Sequence, residues 1–86
     1  MNKHPTWKAK VKPDDGKLKA TVVGHVNHER VVLIGRAITI ESAIGAAMHV
    51  RARFGSNQDE LATLRTLMRG EEIEFDLVDR EIRVAA

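Results

Sequence analysis

The segment Trp7–Val22, WKAKVKPDDGKLKATV, decides the fold class. Trp7, Ala9 and Val11 alternate with Lys8, Lys10 and Lys12. Beyond Pro13-Asp14-Asp15-Gly16 the alternation resumes, with Leu18, Ala20 and Val22 against Lys17, Lys19 and Thr21. Successive side chains of a strand point to opposite faces, so period two on both sides of a proline-to-glycine turn predicts a β-hairpin. Proline presets the first turn residue, the aspartates hydrogen-bond nearby backbone, and Gly16 takes the left-handed position at the exit. A four-residue loop sets Lys12 opposite Lys17 and Lys10 opposite Lys19. Five of the six lysines then share one face of the hairpin.

Downstream, Asn27-His28 predicts a second turn, and Arg30–Arg36 a third strand. Its uninterrupted run Val31-Val32-Leu33-Ile34 predicts a central position with both faces at least partly covered. A two-residue turn puts Val31 and Leu33 in the core with Val22. Val32 and Ile34 then face outward beside Val23, flanked by Arg30 and Arg36. From Ile40 the period becomes helical, with Ile40, Ala43, Ile44, Ala47, Val50 and Phe54 on one stripe, Thr39 as N-cap and Gly55 as the terminating left-handed residue. A second helix is predicted with Ser56 or Asn57 as cap and Asp59 and Glu60 in its first turn. Leu61, Leu64, Leu67 and Met68 form its apolar stripe, and Gly70 stops it.

Period two then returns. Ile73, Phe75 and Leu77 point inward against Glu72, Glu74 and Asp76, a turn follows at Asp79-Arg80, and Ile82 and Val84 point inward against Glu81 and Arg83. Asp76 is expected to face Arg83 across that pair. The order β-β-β-α-α-β-β predicts a two-layer α+β fold: a five-stranded, mainly antiparallel sheet with two helices on one face and the other face free. The fourth of these strands has two permitted places, beside the third or beside the first. In the second case Glu72, Glu74 and Asp76 lie across from Lys8, Lys10 and Lys12 and cancel much of the basic patch.

At 86 residues the chain is long enough for one such core. Residues 6–86 are expected to form a single domain and 1–5 a disordered tail. Cysteine is absent, which removes disulfides and thiolate metal sites. No apolar run follows Met1 as in a signal peptide, and none approaches the roughly 18 residues of a membrane span. The expected location is the cytoplasm. Net charge is only +2, but residues 1–53 carry 10 basic and 4 acidic groups, whereas residues 54–86 carry 4 and 8. Such a dipolar chain attracts a polyanion, a second copy of itself, or its own other end.

The expected contact set is Lys8, Lys10, Lys12, Lys17, Lys19, Arg30 and Arg36 around the apolar Val32 and Ile34, an arrangement typical of a protein interface. The expected function is that of a small non-enzymatic binding protein. It uses the basic, helix-free face to contact an acidic protein partner or, as a homodimer, a second copy. The alternative is low-specificity nucleic-acid binding through backbone phosphates, each contact steepening the salt dependence by about 0.9 in the logarithmic slope. Base stacking is not expected, because Trp7, Phe54 and Phe75, the only aromatics, all fall on predicted core faces.

Other motifs read structurally. His25 and His28 have H-x-x-H spacing, but they straddle a turn with only Glu29 nearby, and no metal site is expected. Glu72, Glu74 and Asp76 stand about 6–7 Å apart along one strand face, a spacing open to paired-carboxylate chemistry and equally to a solvated face. Ser42 and Ser56 fit helix starts. No phosphate-binding glycine loop, dinucleotide fingerprint or nucleophile elbow occurs, so neither a cofactor nor catalysis is expected.

Overall fold

The computed structural model describes residues 6–54, 59–78 and 83–84. The elements are β1 (Thr6–Asp14), β2 (Lys17–Val26), β3 (Glu29–Ala37), α1 (Ile40–Met48), β4 (Arg53–Phe54), α2 (Glu60–Met68), β5 (Ile73–Val78) and β6 (Arg83–Val84). The fold class is α+β as the patterning predicts, with a two-residue strand, β4, added between the helices. One sheet runs in the order β3-β2-β1-β5-β6-β4, antiparallel except where β4 meets β6.

Two tight turns set the register of the first three strands. Asp15 and Gly16 both have positive φ (49° and 79°), as do Asn27 and His28 (51° and 67°). Two left-handed residues in succession match the type I′ turn, whose twist suits a two-residue hairpin loop. The first loop is therefore two residues long, not four, and Asp14 pairs with Lys17, Lys12 with Lys19 and Lys10 with Thr21. Pro13 stays inside the strand opposite Leu18. A residue next to the hydrogen-bonded pair that closes such a loop directs its nitrogen away from the partner strand, so the missing N–H of Pro13 removes no bond to β2. The pairing shifts by two residues, which preserves the common face of the lysines.

The second hairpin has the expected two-residue loop. Val22 pairs with Leu33, Val23 with Val32 and Thr21 with Ile34. The expected central position of this strand is overturned: β3 is the edge of the sheet.

Trp7, Ala9 and Val11 of β1, Ala20 and Val22 of β2, and Phe75 and Leu77 of β5 are buried in one core with Ile40, Ala43, Ile44 and Ala47 of α1 and Leu67 of α2. By the strand period these sheet residues share one side, so both helices cover that side and leave the other free. Two glycines permit the close packing. A Cβ at Gly35 would overlap the backbone of Ala43 and Ala47, and one at Gly24 would overlap the Trp7 ring. Helix α1 thus lies directly on β3, and the indole packs against β2 at Gly24.

The end of α1 and the start of α2 depart from expectation. Thr39 caps α1 as predicted, its Oγ1 accepting the Ser42 N–H at 3.1 Å. The helix then ends at Met48, because His49 turns left-handed (φ 58°) and the Val50 N–H returns to the Gly45 carbonyl at 3.2 Å. A Cβ at Gly45 would crowd the Val50 carbonyl, so this glycine permits the fold-back. Val50 consequently leaves the predicted stripe and is exposed. Phe54 joins β4, half-buried and edge-on to Phe75 at a centroid distance of 6.1 Å.

Helix α2 is capped by Asp59, whose Oδ1 accepts the Ala62 N–H at 3.0 Å. Of the predicted stripe Leu61, Leu64, Leu67 and Met68, only Leu67 is buried, together with Thr63; the other three face outward, and Met68 is 85% exposed. In β6, Val84 stands opposite Leu77, so Asp76 does not face Arg83 as expected. The tail Met1–Pro5, Gly55, the caps Ser56 and Asn57, the turn Asp79-Arg80, and the inward placements of Ile82 and Val84 against Glu81 and Arg83 lie outside the described residues and side chains.

Candidate functional site

On the helix-free side, the strand pairings align side chains in rows across the sheet. Lys12, Lys19 and Arg36 form one row over β1, β2 and β3. The next holds Glu74, Lys10, Thr21 and Ile34, starting from β5, and the third holds Asp76, Lys8, Val23 and Val32. Beyond it His25 stands beside Arg30. Every predicted contact residue lies on this face.

The rows differ in how their charge is met. Strand β5 docks beside β1, the second of the two permitted places, which sets Asp76 opposite Lys8 and Glu74 opposite Lys10. The ammonium–carboxylate distances are 3.9 Å and 4.0 Å. Such exposed pairs contribute about 0–1 kcal/mol each. Burial of Phe75 and Leu77, roughly 1.5–3 kcal/mol per side chain, holds β5 in place far more strongly. The ion pairs follow from the docking. Two of the five aligned lysines are thereby neutralised by the chain itself.

The row Lys12–Lys19–Arg36 lacks such a balance. Adjacent strands lie about 4.8 Å apart, so three cations stand side by side. Among the described residues Asp14 is the one carboxylate in an ion pair with this row: it accepts from Arg36 Nε at 3.2 Å. Glu72, the remaining acid of the predicted trio, precedes β5 and is exposed; it continues the Val11–Ile73 register toward Lys12, as expected, but makes no ion pair with it. Among the described residues Lys12, Lys17, Lys19 and Arg30 make no ion pair. Like charges directly across a ladder cost about 0.2–1 kcal/mol per pair.

Beside this row Val32 (48% exposed) and Ile34 (53%) form an apolar strip on the sheet edge, with Val23 half-buried next to them. Trp7 and Phe75 are buried in the core on the other side and Phe54 is half-buried. His25 and His28 are exposed, and the described residues hold no group of three His, Asp or Glu that converges on a metal position. No helix among the described residues is long and apolar enough to cross a membrane.

A second apolar surface escaped the sequence reading. Ile38 (82% exposed), Leu64 and Met68 line an open groove of about 400 Å³ with Pro13 and Leu18. Thr63 and Leu67, four residues apart, take the contact with the core in their place. The hint in the sequence was Ile38, an isoleucine placed just ahead of the Thr39 cap.

Comparison of the chain with protein-family models, curated proteins and solved structures finds no match in any of the three.

Proposed function

We propose that this is a non-enzymatic binding protein whose helix-free sheet face contacts an acidic protein surface. The reading rests on one observation, the cation row Lys12–Lys19–Arg36, whose like charges oppose one another and which makes one ion pair, Arg36–Asp14, among the described residues. Lys17 and Arg30 extend the charge, and Val32 and Ile34 supply an apolar contact beside it. Lys8 and Lys10 belong to the expected contact set but contribute less, since Asp76 and Glu74 already face them. A second copy is the other partner expected from the sequence, but its β5 carboxylates already face its own Lys8 and Lys10.

Retention on immobilised poly-glutamate at low and high salt tests the reading. The expected result is retention at low salt, lost on charge reversal at Lys17→Glu with Lys19→Glu and nearly unchanged when both partners of a closed pair are neutralised together, Lys8→Gln with Asp76→Asn. Absence of retention at low salt overturns it. Random duplex and single-stranded DNA in a mobility-shift assay test the phosphate alternative, which fails if neither is shifted at low salt. Sedimentation at several concentrations identifies or eliminates the second copy.

A further inference from the structure

We infer that the open edge of β3 accepts an extended acidic segment of the partner protein as an added antiparallel strand. This deepens the reading above and rests on it.

The edge is defined by the turn at Asn27-His28. In a two-residue type I′ hairpin the flanking pair, here Val26 and Glu29, is hydrogen-bonded, and bonded pairs then recur at every second residue. Residues 31, 33, 35 and 37 of β3 therefore bond to β2. The N–H and C=O groups of Arg30, Val32, Ile34 and Arg36 point away from the sheet, and the same four residues carry their side chains on the helix-free face.

Among the described residues no strand pairs with this nine-residue edge, and its charges, Glu29, Arg30 and Arg36, stand only toward its ends. It contains no proline and no lysine, its middle is Val31-Val32-Leu33-Ile34, and its turns and pairings show no bulge. Long apolar edges of this kind are templates for another strand. Val31, Leu33 and Ala37 are only partly buried on the helix side, so an added strand gains apolar contact on both faces.

Charge selects the occupant. An added antiparallel strand extends each row by one position, next to Arg36, Ile34, Val32 and Arg30 in turn. The complementary pattern is acidic-x-apolar-x-apolar-x-acidic. The molecule already uses this logic at the opposite flank of the hairpin, where Glu74 and Asp76 of β5 close the rows of Lys10 and Lys8. A second copy is the wrong occupant for this edge. Fully overlapped twofold pairing centres on Leu33 and sets Arg30 of each copy against Arg36 of the other, without an added carboxylate.

The test uses the full chain and a dye-labelled synthetic peptide, Asp-Thr-Val-Thr-Val-Thr-Asp, with blocked ends, read by fluorescence anisotropy at low salt. Saturable binding is expected. Methylating the two valine amides keeps every side chain but removes the donors aimed at β3, and it should weaken binding by about tenfold or more. Val32→Pro, which removes an outward N–H and no bond to β2, should do the same; its thermal melt establishes that it folds. Equal binding of the methylated and parent peptides overturns the strand-addition mode. So does failure of the parent peptide while poly-glutamate is retained. Failure of both ligands removes the acidic-partner reading itself.

Discussion

The two halves of the helix-free face are built from the same alternating strands and carry similar numbers of cations, yet one half is closed and the other open. Between β1 and β5, Lys8 and Lys10 meet Asp76 and Glu74, and the strand bearing those carboxylates is anchored from below by Phe75 and Leu77. Between β2 and β3, Lys19 meets Arg36 and the sheet ends. A cation neutralised by a neighbouring strand is a by-product of packing. One left beside another cation at the sheet edge is opposed by its neighbour, and the proposed function rests on that difference.

The largest effect should come from the anchor of the closed half. Phe75→Ala should cost about 3–5 kcal/mol in denaturant unfolding, because it empties the core beneath β5. A loss below about 1 kcal/mol would mean that the ion pairs, not the aromatic, hold that strand. Gly35→Val tests the support of the open half by forcing α1 away from β3; overpacking of this kind should cost about 1–3 kcal/mol in a thermal melt. An unchanged melting temperature would contradict the close approach.

Smaller effects sharpen the electrostatic contrast. Lys19→Thr removes the middle cation of its row and should stabilise the fold by about 0.2–1 kcal/mol at low salt, less at high salt. Glu74→Gln with Asp76→Asn should destabilise by less than about 1 kcal/mol per pair, also screened by salt. If the second change outweighs Phe75→Ala, the account of the closed half is wrong.

Much of this architecture was legible because period two is a strong signal: the two hairpins, the common face of the lysines and the outward Val32 and Ile34 all follow from it. The loop length did not follow, since Pro13-Asp14-Asp15-Gly16 resembles a proline-led turn while Asp15-Gly16 is the pair that supplies two left-handed residues. The end of α1 was hidden because a histidine, not a glycine, takes the left-handed position, while Gly45 permits the fold-back from within the helix. For α2, the spacing of Leu61, Leu64, Leu67 and Met68 fits a stripe facing the core, but of these only Leu67 is buried, with Thr63 as its companion. The place of β5 depended on long-range packing of Phe75 and Leu77, which no local pattern encodes. That choice divides the lysines into a closed and an open set.

The most direct test is a backbone amide nuclear magnetic resonance titration of the full chain with poly-glutamate at low salt. The account predicts that the resonances of Lys17, Lys19, Val32, Ile34 and Arg36 shift together and saturate, while those of Glu74 and Asp76 stay in place. Shifts confined to Lys8, Lys10 and β5, or no shift anywhere, would contradict it.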